Sequence, residues 1–525
     1  MKKLGCALAA AAALVAAAVL PGSAAHATDV GLKAYLIVLD DGTPSDHSFT
    51  MSEADREAAL SLIASQGGVV LNDMSKNIGV VSAYGPASGF AEALDASSLI
   101  LSVGEDFGFK SMPSKAEFIA DGLSGASDPG VSSPDPSADP MEGLQWDMRQ
   151  IRTEQAHAIQ AGRREVEVGV LDSGVDAAHL DFQDPLGAGT NVNCAKARDS
   201  VATLENLQNI EIRPQPPYVE IPGGVGHPAA CQDNQFHGTH VAGTIAAQAN
   251  NYGIVGVAPN VTLIPVKVCD TAGYCYASAV IDGIYYAGIQ RFEVINMSFF
   301  VDDFNFLSST EFKCSNDPTQ ATIRHAVERA IAFARMRGVV PVAALGNSSQ
   351  DLAHPEPYEN NCEVVPAETQ GVIGVSALGP DSQLTSYSNY GVGMNDVSAP
   401  GGRGTGNPAT AVYSTFPGNT YASISGTSMA SPHAAGVAAL IVSQYGKLIY
   451  TDQDGDKATP NVPDWEMRPQ EVENYLQSTT IDIGLKGYDE CYGNGRVDAL
   501  KAVTHDTSQV YEPRPCRYYA TQPSQ

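Results

Sequence analysis

Short apolar runs punctuate the chain from about residue 144 onward. Residues 166–171, 261–268, 294–296, 339–344 and 372–375 are rich in Val, Ile, Leu and Ala. A strand wet on one face alternates apolar and polar positions, and these runs do not. They predict strands covered on both faces, as in a parallel sheet. The stretches between them carry a longer period. Ile323, Val327, Ala330, Ile331 and Ala334 share one face of a helix. Strand and helix alternating over residues 144–505 predict a three-layer α/β domain with a mainly parallel central sheet.

The front of the chain follows another rhythm. Residues 32–39, 78–84 and 100–103 are strand-like. Residues 52–66 are helical and open on Ser52-x-x-Asp55, a capping signal, and a short helix is expected near 90–94. The order β-α-β-β-α-β predicts a small ferredoxin-like α+β unit within residues 28–110. Residues 111–143 then gather Pro113, Pro129, Pro134, Pro136 and Pro140 among Ser, Gly and Asp. That composition favours an extended, cleavable linker.

The first residues read as an address. Met1-Lys2-Lys3 is basic, residues 6–20 are apolar throughout, and Ala25-His26-Ala27 fits a small-x-small cleavage pattern. An export signal over 1–27 is expected, since the apolar run falls short of the ~20 residues a bilayer requires. The mature protein is then secreted.

Charge and cysteine content sharpen this picture. The chain of 525 residues has 30 Lys and Arg against 59 Asp and Glu, a net charge of −29, which disfavours a nucleic-acid partner. Of the nine cysteines, Cys6 falls in the signal. Eight remain, an even number that suggests disulfides in an exported chain. Cys269 and Cys275 flank a short loop and are the first pair to expect. Pairing of the others is open, with chain order as the simplest guess.

Three segments stand where strands give way to helices, the usual place for chemistry in such a sheet. Asp172-Ser173-Gly174 ends one apolar run. His237-Gly238-Thr239-His240 opens a helical stretch. Ser428 lies in Ser425-Gly426-Thr427-Ser428-Met429-Ala430-Ser431-Pro432-His433, just before another helix. Singly these read as a turn acid, a helix-start histidine and an N-cap serine. Together they supply a nucleophile, a base and a carboxylate to orient the base. An α/β-hydrolase would need G-x-S-x-G, and Ala430 stands at the final glycine. His237 and His240 lack a third nearby metal ligand.

With these motifs the chain resembles the subtilisin (subtilase) family of serine proteases over about residues 144–505, including Gly256-Val257-Ala258-Pro259 and Gly493-Asn494-Gly495-Arg496-Val497-Asp498-Ala499. The resemblance implies an endopeptidase with Asp172, His237 and Ser428 as triad. It implies Asn347, in Ala344-Leu345-Gly346-Asn347, as oxyanion donor. Substrate backbones are expected along Ser298, Phe299 and Phe300 and beside Ala344, Leu345 and Gly346. Phe300 replaces a usual glycine, which suggests narrowed subsites, or simply a ring packed on the 302–318 insertion. Residues 28–110 resemble an inhibitory propeptide, with the maturation cut inside 111–143 and a tail over 506–525. No cofactor is required for the chemistry. A structural calcium at Asp181 and the loop 250–254 stays open, because that loop looks one residue short. The acidic loop at 452–456 lacks an EF-hand frame and reads as a solvated turn. The expected partners are protein or peptide substrates and the chain's own propeptide. No nucleic acid, no membrane after signal cleavage, and a monomer are expected. A silent binding protein on the same fold, and a processing protease restricted to one partner by the insertions at 185–232 and 302–318, remain as alternatives.

Overall fold

The computed structural model describes residues 31–43, 49–106, 108–113, 126–127, 139–184, 189–201, 226–301, 317–354, 363–404, 406–451 and 462–516. The expected signal, most of the 111–143 linker, much of both insertions, the loop at 452–456, Cys314, Cys362 and the end of the tail lie outside them.

The front unit runs β1 (Leu32–Leu39), α1 (Glu53–Ser65), β2 (Val69–Asp73), β3 (Val80–Pro86), α2 (Phe90–Asp95) and β4 (Ile100–Glu105). Its sheet has the order β2-β3-β1-β4, with every pair antiparallel. Strand β2 carried no clear apolar signal, because Val69 and Val70 are exposed. The strand expected at 78–84 begins at Val80, after one helical turn over Ser75–Ile78. β1 is apolar on both faces for a physical reason. Tyr35, Ile37 and Leu39 pack on the unit's own helices with Ile63, Phe90 and Leu94. Leu36 and Val38 point the other way, into the core of the main domain. Each such buried aliphatic side chain contributes about 1.5–3 kcal/mol relative to exposure.

A short strand β5 (Gly108–Lys110) leaves the front unit. The main domain follows with β6 (Glu167–Asp172), β7 (Arg198–Asp199), α3 (His237–Ala246), β8 (Thr262–Lys267), β9 (Tyr274–Tyr276), α4 (Ala277–Gln290), β10 (Val294–Met297), α5 (Pro318–Met336), β11 (Val340–Ala344), β12 (Ile373–Leu378), β13 (Val397–Pro400), β14 (Val412–Phe416), β15 (Thr420–Ile424) and α6 (Thr427–Tyr445). Seven strands form one parallel sheet in the order β13-β12-β11-β10-β6-β8-β7. Its strands are covered on both faces. Val168, Val170, Val294 and Val342 pack with Val241 and Ile245 of α3 and Val437 and Ile441 of α6. Leu171, Ile295 and Met297 pack with Val280 and Ile284 of α4 and Ile323, Val327 and Ile331 of α5.

The front unit sits on α4 and α5. The Arg329 guanidinium donates to the Leu39 carbonyl at 2.8 Å, Asn72 Nδ2 to Asp282 at 2.6 Å, and Asn77 Nδ2 to the Tyr285 hydroxyl at 2.7 Å. Disulfides join Cys194 to Cys231, Cys269 to Cys275 and Cys491 to Cys516.

Candidate active site

The three segments singled out in the sequence meet at the carboxyl ends of the central strands of the sheet. Asp172 is the last residue of β6 and fully buried. Both of its carboxylate oxygens lie 3.0 Å from His237 Nδ1, and Oδ1 also accepts the Ser173 N–H at 2.7 Å. His237 is the first residue of α3. Helix and strand approach closely because Gly238 lacks a side chain: a Cβ there would lie 2.0 Å from the Gly174 carbonyl oxygen. Burial works against a charge on His237. The adjacent Asp172 carboxylate, with a smaller contribution from Asp233, outweighs it and holds the imidazole pKa above its ordinary value. One turn on, burial pushes His240 down to about 3, with the neighbouring His237 adding to the effect, so it stays neutral.

The start of α3 is held by residues the sequence reading missed. Phe236 has φ 148°, a backbone state that costs a side-chain-bearing residue on the order of 1–3 kcal/mol. Asp233 secures it. Its carboxylate accepts N–H groups from Gln235, Phe236 and Thr239 at 2.9–3.0 Å and the Ser173 hydroxyl at 3.0 Å. Gln235 Oε1 then takes the His237 N–H at 2.6 Å. An acid a few residues ahead of a helix-start histidine is an N-terminal signal that could have found it.

Ser428 is the second residue of α6. Proline at 432 has no N–H to return to the Ser428 carbonyl. That carbonyl instead accepts the Ser298 hydroxyl at 2.9 Å, which ties α6 to the end of β10. The Ser428 hydroxyl itself donates to the Ser298 carbonyl at 3.0 Å. Asn347 Oδ1 accepts the Thr427 N–H at 2.8 Å, which leaves Nδ2 for the cleft. A Cβ built on Gly426 would stand 3.6 Å from Ser428 N and 3.7 Å from Asn347 Nδ2, so both donors border one open spot. Ala344, Leu345 and Gly346 lead into Asn347, and the Gly346 N–H binds Thr427 Oγ1 at 3.1 Å. Phe299 is buried, and the ring of Phe300 packs half-buried on the main core.

A cleft of about 260 Å³ is lined by His237, Asn347 and Ser428, and also by Ser111, Met112 and Pro113 of the front chain. β5 pairs antiparallel with β9. The Ser111 N–H donates to Gly273 O at 3.0 Å, and the Phe300 N–H to Ser111 Oγ at 3.3 Å. Gln235 Nε2 donates to Pro113 O at 2.6 Å.

Residues 163–495 match the model of the subtilase family. The chain is a subtilase. Subtilisin DY of Bacillus licheniformis is 32% identical over 338 residues, 64% of this chain and 90% of that protein. Subtilisin NAT of Bacillus subtilis subsp. natto is 30% identical over 362 residues, 69% of this chain and 71% of that one. In fold, the epidermin leader peptide processing serine protease of Staphylococcus aureus is similar with a TM-score of 0.62, at 19% identity, over 94% of this chain and all of that one. This subtilase is a serine endopeptidase, and the family's chemistry needs no cofactor. Among the described residues, no helix is long and apolar enough to cross a membrane.

The loop weighed for calcium does not suit a cation. The Asp181 carboxylate accepts the Tyr421 hydroxyl at 2.8 Å and the Ile254 N–H at 3.1 Å. A Cβ on Gly253 would fall 1.8 Å from the Tyr421 oxygen, so the hydroxyl fills the space beneath the loop. The loop also turns N–H groups toward an acid: Asn250 and Tyr252 donate to Asp139 at 3.2 and 2.8 Å. Calcium requires oxygen ligands facing inward. Burial first, and then Asp181, push the Tyr421 pKa up, which keeps it a donor. EDTA is therefore expected to leave the thermal midpoint unchanged. Tyr421→Phe should cost about 1–3 kcal/mol in urea unfolding. A midpoint that drops by several degrees in EDTA would mean an ion is held there after all.

Proposed function

We propose that this subtilase is a secreted endopeptidase made as a self-inhibited zymogen, with Asp172, His237 and Ser428 as its triad. His237 takes the proton of the Ser428 hydroxyl as its oxygen attacks a peptide carbonyl. Asp172 holds the proton on His237 Nδ1 and offsets the imidazolium charge. The Asn347 amide and the Ser428 N–H donate to the tetrahedral oxyanion. His237 then protonates the departing amine. Water resolves the acyl-enzyme by the same route in reverse. The 3.0 Å approach of Asp172 to His237 and the two donors beside Gly426 support these roles.

Residues 28–110 act in this reading as the inhibitory unit, and the cut falls within 111–143. The observation that carries it is the antiparallel pairing of β5 with β9, which leads Ser111–Pro113 into the cleft beside His237 and Ser428. A main-chain ladder of this kind is how extended peptides bind a strand edge. Secretion is supported by the basic–apolar–small order of residues 1–27 and by the disulfides among the described residues.

The test is a time course on the 28–525 chain, followed by mass, N-terminal sequencing and casein hydrolysis. The front unit is expected to leave first, with a new N-terminus between residues 113 and 143, and casein hydrolysis should rise as it goes. Full activity with the front unit still attached and uncut would overturn the inhibitory reading.

A further inference from the structure

We infer that Tyr276 makes the cleft select glycine in the substrate residue that pairs with it, so that the enzyme reads a glycine–aromatic step upstream of its cut. This rests on the reading that the 108–113 segment lies in the cleft as a substrate does.

The register pairs Gly108 with Tyr276, Phe109 with Cys275 and Lys110 with Tyr274. A Cβ built on Gly108 would lie 2.5 Å from Cε1, 2.8 Å from Cδ1 and 3.0 Å from Cζ of the Tyr276 ring. No ordinary contact is that short, so ring or strand would have to move. Gly108 is not among the glycines of positive φ. It is therefore needed for space and not for an unusual backbone.

The ring has little freedom to yield. Its hydroxyl donates to Asp270 Oδ2 at 2.8 Å. Asp270 is buried, and its other oxygen accepts the N–H groups of Ala272 and Tyr274, both at 2.9 Å. The Cys269–Cys275 disulfide fixes the residue next to Tyr276 against the end of β8. Tyr276 itself is 5% exposed.

The neighbouring positions are read differently. Phe109 is buried in the same core cluster as Tyr276, Phe299 and Val301, so an apolar aromatic residue fits there. Lys110 lies loosely over the Tyr274 ring, its Nζ 5.9 Å from the centroid. The substrates this rim favours are extended protein segments with glycine directly before an aromatic residue.

The experiment compares four forms of the 28–525 chain: wild type, Gly108→Ala, Tyr276→Ala and the double variant. Release of the front unit is timed by mass, and circular dichroism melting checks that each form folds. Gly108→Ala is expected to slow release by about tenfold when Tyr276 is present. In the Tyr276→Ala background the same change should cost less than about twofold, because the clash is gone. Alanine is the better strand former, so propensity alone would act in the opposite direction. A general weakening of the rim by Tyr276→Ala slows both of its forms alike and cancels in the ratio. Equal ratios in the two backgrounds would overturn the selection and leave the cleft-strand reading standing. A wild-type chain that is never cut within 111–143 would overturn that reading, and the selection with it.

Discussion

Ser428→Ala in the 28–525 chain should leave one uncut polypeptide with no measurable hydrolysis of casein. Ser428 is the cleft serine this reading makes the nucleophile for His237, and alanine at the second position of α6 keeps the helix intact. Nothing in the packing of β5 on β9 depends on Ser428, so the front unit should stay docked and the unfolding midpoint should hold. In subtilisin, a relative of this chain, losing the serine costs about 10⁶ in turnover, and a loss of that order is expected here. Two outcomes would sink the assignment. Hydrolysis surviving at more than a hundredth of the wild-type rate would require another nucleophile. Front-unit release at the wild-type rate in purified variant would mean that a contaminating protease makes the cut.

Much of this site could be read from the chain because its parts are local. A strand-ending acid, a helix-start histidine and a serine ahead of a helix each show in a few consecutive residues. Five of the seven strands in the main sheet were legible for a related reason, while the short β7 and β13 carried no such run. Strands buried on both faces lose their alternation, and Val168, Val170 and Leu171 carry that signature toward two different cores. What escaped notice was long-range or exposed. Val69 and Val70 sit on an edge strand with little to bury. Tyr421 meets Asp181 from 240 residues away, and no local pattern announces such a partner. The β5 strand is three residues long, and its meaning lies in what it pairs with. Asp233 left only a weak signal: its place ahead of a helix-start histidine hints at a helix N-terminus, but its five acceptor contacts show only in the fold.

Asp172→Asn should retain the fold and lose about 10⁴ in kcat, the size seen for the same change in another serine protease triad. The geometry says why an amide of nearly identical shape fails. Oδ1 of Asp172 accepts the Ser173 N–H at 2.7 Å, so the oxygen of an asparagine would stay there. Its NH₂ would then occupy the place of Oδ2, 3.0 Å from His237 Nδ1. A donor facing Nδ1 moves the ring proton to Nε2, and Nε2 can no longer accept from Ser428. The charge is lost as well. Asp172 does most to hold the His237 pKa above its ordinary value against burial, with Asp233 adding to it. In the wild type, activity should therefore fall as pH drops through an inflection above ~6.5, since the protonated ring cannot act as base. Without the carboxylate, only the weaker pull of Asp233 opposes burial, and the residual activity should carry its acid limb at lower pH. The pH profile separates this from mere damage, because a loosened fold would lower the rate without moving the inflection downward. A fall of less than tenfold, or an acid limb that stays in place, would remove Asp172 from the role proposed for it.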